Sequence, residues 1–120
     1  MVLVDTSVWV SHLRKDHPHL KQLLLEENVN CHPLIIGELA CGDFRNRDEI
    51  LSLLTTLPQT KIVEHSEILH FIESKKLMGK GLGLIDMHLL ASALITNVPL
   101  WTEDKALLAA AGSLNLLYRG

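Results

Sequence analysis

The segment Val2-Leu3-Val4-Asp5-Thr6-Ser7-Val8-Trp9-Val10 decides the fold. Val2-Leu3-Val4 is a short β-branched apolar run, the pattern of a buried strand. Asp5-Thr6-Ser7 then supplies the residue types that open helices, because their side-chain oxygens accept the unpaired N–H groups of a first turn. A buried strand feeding a helix N-terminus is the repeating unit of a parallel α/β sheet.

Reading outward, the same alternation continues. Helices are expected over residues 8–14 and 18–27, with Pro18 suited to a first turn, and a second strand over 28–32. Pro33 opens a helix through Ala40 that closes near Gly42. The spacing of Ile50, Leu51, Leu53, Leu54 and Leu57 predicts a helix over 48–57, stopped by Pro58. Lys61-Ile62-Val63 reads as a third strand, and residues 66–78 as a helix with Ser66 at its N-cap. Gly79 to Gly83 forms a connector into a strongly apolar helix over 84–96. Residues 99–101 read as a strand, 104–111 as a helix and 114–118 as a last strand. The expectation is a single α/β domain over residues 1–120, with no linker, internal repeat or second domain.

Composition sets bounds on function. With 120 residues, 48% hydrophobic and 21% charged, the chain can build one core and is not disordered. A net charge of −3, from 14 acidic against 11 basic residues, argues against a general nucleic-acid coat. Cys31 and Cys41 match neither a zinc framework nor a disulfide scaffold. They fit a reduced, cytoplasmic setting. Residues 87–102 carry no Asp, Glu, Lys or Arg, but this run is too short and too polar to span a membrane. The N-terminal residues lack the pattern of a signal peptide. There is no His-Glu-x-x-His helix, no Gly-x-Ser-x-Gly elbow and no Walker spacing around Lys80.

Four carboxylates carry the chemistry. In open α/β sheets ligands bind beyond the carboxyl ends of the strands. Asp5 follows the first strand and Asp104 follows the strand containing Trp101, so one crevice can receive both. Each alone is also a plausible N-cap. Asp86 lies in the first turn of an apolar helix, where a buried carboxylate needs a partner or a metal. Glu38 stands mid-helix among apolar neighbours, in Leu34-Ile35-Ile36-Gly37-Glu38-Leu39-Ala40. Oxygen-only donors suit Mg²⁺ or Mn²⁺, and without an ion like charges at short range raise at least one carboxylate pKa.

Val4-Asp5-Thr6-Ser7, the helix of Glu38, Ile85-Asp86 before Leu90-Ala91-Ser92-Ala93, and Leu100-Trp101-Thr102-Glu103-Asp104 resemble the four signature regions of the PIN-domain family, in order along essentially the whole chain. Gly37-Glu38-Leu39-Ala40-Cys41-Gly42 and Leu77-Met78-Gly79-Lys80-Gly81-Leu82-Gly83 resemble more narrowly the VapC toxins of bacterial toxin–antitoxin pairs. The resemblance implies a three-layer PIN-like fold whose mostly parallel sheet of four or five short strands is flanked by helices. It implies an Mg²⁺- or Mn²⁺-dependent endoribonuclease acting on structured RNA such as tRNA or rRNA, dimeric and restrained by a VapB-like antitoxin. On this resemblance Asp5, Glu38, Asp86 and Asp104 form the catalytic and metal-binding set, and Thr6 and Thr102 match the family's hydroxyl positions. From the residues themselves, Ser7 or Thr102 can support a carboxylate or the metal water, or equally cap a helix. Glu103 departs from the pattern by adding a carboxylate beside Asp104. Setting the four carboxylates aside leaves 10 acidic against 11 basic residues. RNA contact then falls to local patches, with Arg45, Arg47, Lys75, Lys76 and Lys80 as candidates. The Leu23-Leu24-Leu25 run and Leu51 to Leu57 are expected to supply an apolar interface.

Overall fold

The computed structural model describes all residues, 1–120. Seven helices surround a small parallel sheet. In chain order the elements are β1 (Val2–Val4), α1 (Thr6–Arg14), α2 (Pro18–Leu25), β2 (Val29–Asn30), α3 (Pro33–Ala40), α4 (Arg47–Thr56), α5 (His65–Lys75), α6 (Leu84–Thr96), β3 (Leu100–Trp101) and α7 (Lys105–Ser113). The strand order is β2-β1-β3. Val2 and Leu3 pair with Val29 and Asn30 on one side, and Leu3 and Val4 with Leu100 and Trp101 on the other. All three residues of β1 are buried, as a central parallel strand covered on both faces requires.

Beyond these ladders the sheet tapers into single bridges. Cys31 bridges Gln59 outside β2, and Leu100 bridges Leu117 outside β3, both parallel. The expected outer strands are therefore reduced to one paired residue each. At one edge Cys31 N–H donates to Pro58 O and Thr60 N–H to Cys31 O, both at 2.9 Å. The next N–H, of Lys61, leaves the sheet and donates to Thr96 Oγ1 at 3.0 Å. Residues 61–63 therefore form no strand, and the pairing falls two residues earlier than their β-branched character suggests.

Helix boundaries also shift: α1 begins at Thr6, α4 covers Arg47–Thr56 and α7 covers Lys105–Ser113. Helix α2 ends at Leu25, and Glu27 turns the chain at φ 57°. Helix α5 begins at His65 with Glu64, not Ser66, in the N-cap position, and Lys76 at φ 53° ends it. Helix α6 supplies much of the core through Met87, Leu89, Leu90, Ala91 and Ala93. It is not buried all round, because Leu84, Leu94 and Ile95 reach the surface. No helix is long and apolar enough to cross a membrane.

This connectivity positions the site. From β1 the chain crosses to β2 on one side, and β3 adds on the other. The C-terminal end of β1 is thus a point where strand order reverses, the place at which open α/β sheets bind ligands. Asp5 and Thr102 are the residues that directly follow β1 and β3 at this end of the sheet.

Candidate active site

Asp5 is the most constrained of the four carboxylates. It is 5% exposed and occupies the N-cap of α1. Its Oδ2 accepts from Ser7 Oγ at 2.7 Å, from Thr102 Oγ1 at 2.8 Å and from Ser7 N–H at 3.4 Å. Thr102 Oγ1 also accepts the Asp104 N–H at 3.0 Å, so one hydroxyl joins the two acidic residues. The capping role foreseen for Asp5 is real and coexists with its place at the crevice.

Asp104 caps α7 in the same way, with Oδ2 accepting the Leu107 N–H at 2.9 Å. Asp86 lies in the first turn of α6, where its Oδ2 accepts the Gly83 N–H at 2.9 Å. Three helix N-termini thus present a carboxylate each, where the helix dipole stabilises negative charge. Glu38 has no such help, since it sits well inside α3 and is exposed. Thr6 Oγ1 holds it instead, donating to Oε1 at 2.7 Å.

A common pattern emerges. Each carboxylate is fixed through one oxygen, namely Asp5 Oδ2, Glu38 Oε1, Asp86 Oδ2 and Asp104 Oδ2. The second oxygen of each makes no hydrogen bond within the protein. Neither ion pair of the chain, Lys21–Asp16 or Arg47–Asp48, involves any of the four.

Electrostatics ties three of them together. The Asp86 carboxyl is pushed above its ordinary pKa, chiefly by burial. The Gly83 N–H opposes that shift, and the charges of Asp5 and Asp104 add to it. The sequence anticipated a raised carboxylate but placed the cause in repulsion alone; desolvation is the larger effect.

Helix α3 is itself anchored at both ends. His32, 1% exposed, is its N-cap, with Nδ1 accepting the Leu34 N–H at 3.0 Å. That leaves the ring proton on Nε2, which meets Ser92 Oγ of α6 at 3.1 Å. The helix of Glu38 is thereby tied to the helix of Asp86. Burial, and secondarily the nearby His88, lowers the His32 pKa to about 4. At the other end Arg47 donates to Ala40 O at 2.6 Å and Gly42 O at 3.1 Å. Arg47 is committed to bracing α3 and drops out of the basic residues offered for RNA. Arg45, Lys75, Lys76 and Lys80 remain exposed.

Comparison with known proteins shows the family. The PIN domain family matches residues 2–113. The chain belongs to the PIN-domain family. Within it the chain is of the VapC type. Ribonuclease VapC32 from Mycobacterium tuberculosis, in strains CDC 1551 and H37Rv, is 48% identical over 111 residues, covering 92% of this chain and 90% of its own. The crystal structure of PAE2754 from Pyrobaculum aerophilum superimposes with a TM-score of 0.62 at 19% identity, over 91% of this chain and 83% of that one. Identity that low speaks for the shared fold alone.

The acidic residues of this PIN domain fit a hard divalent cation by donor chemistry, each offering an oxygen with no internal partner and with no cationic side chain paired to it. As placed, no three His, Cys, Asp or Glu side chains form a ready ligand group. Like charges held at separate hydrogen-bonded stations stay apart, and Mg²⁺ needs only one or two carboxylates besides water and substrate phosphate. Sequence reasoning found the hydroxyls of Thr6, Ser7 and Thr102. It missed the His32–Ser92 link, because a lone histidine before a proline has no signature of a buried cap.

Proposed function

We propose that this VapC-type PIN domain is a divalent-metal-dependent endoribonuclease, the toxin of a toxin–antitoxin pair, with Asp5, Glu38, Asp86 and Asp104 as its working carboxylates. The observation that carries the assignment is the half-engaged state of all four. Each is fixed in direction by one oxygen, and the other oxygen stays available. An acid kept only to cap a helix has no need of three such companions around one crevice.

A bound Mg²⁺ or Mn²⁺ supplies three things to phosphodiester hydrolysis: it acidifies a water, orients the phosphate and offsets its charge. The protein supplies placement. Asp5 and Asp104 are assigned as direct ligands, and Glu38 and Asp86 as direct or water-bridged ones. Ser7 and Thr102 keep Asp5 Oδ2 occupied so that Oδ1 is the oxygen presented. Thr6 does the same for Glu38 through Oε1. The substrate is structured RNA of the tRNA or rRNA kind, with Arg45, Lys75, Lys76 and Lys80 as candidate phosphate contacts. The protein acts in the cytoplasm, restrained by a VapB-like antitoxin.

A homodimer is part of the proposal, and the leucine runs supply only part of its candidate apolar surface. Leu23 and Leu54 are buried and Leu24, Leu51 and Leu57 half-buried, while Leu25 and Leu53 are exposed. Exposed apolar side chains also lie on and near α5 and α6. There Ile62, Leu69, Leu94 and Ile95 are 66%, 54%, 38% and 47% exposed, beside a cavity of about 330 Å³ lined by Phe71 and Ala91. A second copy covering this face would remove that surface from water.

Digestion of total tRNA and rRNA by the purified chain, with chelator or with Mg²⁺ or Mn²⁺, tests the reading. Discrete cuts that need the metal and vanish in Asp5→Asn support it. Binding of RNA without cutting under every metal condition overturns it in favour of a non-catalytic binding module.

A further inference from the structure

Glu103 is the carboxylate beside the crevice that the proposed site does not use. It lies between Thr102, whose hydroxyl holds Asp5, and Asp104. Two different groups of Glu103 meet α1. Its backbone N–H donates to Ser7 Oγ at 2.9 Å, and its Oε1 accepts from Ser11 Oγ. Ser7 and Ser11 are four residues apart, so they lie one turn apart on the same helix face. One residue of the β3–α7 connection is thus fastened to two successive turns of α1.

That connection is short. Only Thr102, Glu103 and Asp104 separate β3 from α7. Fixing the middle residue restricts where Asp104 can stand relative to Asp5, whose Oδ2 is held by the same Ser7 that receives the Glu103 N–H. A hydroxyl donating to a carboxylate is among the stronger kinds of hydrogen bond. Ser11 also gives this negative charge a fixed partner on α1.

We infer that the Ser11–Glu103 contact is a clasp that keeps Asp104 in register with Asp5, and that Glu103 acts as a hydrogen-bond acceptor in a positioning role. The inference rests on the nuclease reading above. An acceptor can be replaced by an amide, whereas a ligand or a needed charge cannot.

The test uses the whole chain as wild type, Ser11→Ala, Glu103→Ala, Glu103→Gln and the Ser11→Ala/Glu103→Ala double variant. Two quantities are measured: the Mn²⁺ concentration giving half of the metal-induced rise in melting temperature, and kcat and KM for RNA cleavage. Supporting contacts of metal ligands typically carry 10–100-fold in metal affinity or activity. For this exposed clasp, Ser11→Ala and Glu103→Ala should each raise the Mn²⁺ midpoint about 10-fold. The double variant should match the singles, and Glu103→Gln should stay near wild type, with cleavage recovered at saturating Mn²⁺. Equal damage from Glu103→Gln and Glu103→Ala would assign the effect to charge and overturn the clasp. Unshifted midpoints in all variants, beside a normal wild type, would overturn it as well. A wild type with neither a Mn²⁺ response nor cleavage overturns the nuclease reading, and the clasp falls with it.

Discussion

Thr102 Oγ1 donates to Asp5 Oδ2 at 2.8 Å, joining residues 97 positions apart at the ends of neighbouring strands. The same hydroxyl accepts the N–H of Asp104, so a single threonine links the two acids that follow β1 and β3. With Ser7 it leaves Asp5 Oδ1 free of internal hydrogen bonds while Oδ2 carries three.

Asp5→Asn keeps the size of the side chain and an oxygen that can cap α1, but removes the charge. Cleavage should fall more than about 100-fold, since even contacts that only support a ligand carry 10–100-fold. The melting temperature in chelator should change little. Circular dichroism melts beside a gel assay check this, and wild-type cleavage by a pure, folded Asp5→Asn would remove Asp5 from the mechanism.

Acid should loosen the protein through His32. The folded pKa is about 4, below the ordinary imidazole value of 6.5, because burial disfavours the cation. A group with a lowered folded pKa contributes stability that is fully present above 6.5 and is lost as pH falls towards 4. Protonating Nδ1 also removes the acceptor for Leu34 N–H. His32→Asn retains a capping acceptor and cannot titrate, so its stability at neutral pH should be lower by about 1–2 kcal/mol, from the lost Ser92 contact. Its stability should also fall less between pH 6.5 and 4. Urea melts across that range measure both, and parallel pH profiles for the two proteins would contradict the assignment.

Gly37 stands mid-helix in α3 beside Glu38, and a Cβ placed there would meet nothing within 4 Å. Glycine in a helix interior costs roughly 0.5–1 kcal/mol relative to alanine. Gly37→Ala should therefore stabilise the chain by about that amount. Chemical denaturation decides it, and a destabilised Gly37→Ala would mean that α3 needs the glycine for itself.

The capping acids were legible in the sequence because caps and the proposed metal chemistry use the same residue types. Asp5 and Asp104 announce themselves as helix starts after apolar runs, and the crevice rule places both together. Glu38 was visible as a carboxylate among apolar neighbours, although the structure leaves it exposed and held by Thr6. What stayed hidden depends on contacts between distant segments. Nothing local tells Lys61 to donate to Thr96 instead of extending a strand, or Ser11 to reach Glu103. The exposed apolar surface was legible only in part, for a related reason. Leu23 and Leu54 read like any other leucine, and only packing shows that they are core while Leu94 and Ile95 are not.

The four-carboxylate site is tested most directly by thermal melts of wild type and Asp86→Asn, each in chelator and in millimolar Mn²⁺. A folded pKa raised above the unfolded one means that the group's stability contribution is present at low pH and lost as pH rises through the folded value. At neutral pH the ionised Asp86 is therefore a burden that the metal relieves, and an ion binding only the folded state stabilises it by mass action. Asp86→Asn should melt higher than wild type in chelator, gain less from Mn²⁺ and fail to cut RNA. A variant that melts lower in chelator yet keeps the full Mn²⁺ gain would show Asp86 to be a structural cap and contradict the site.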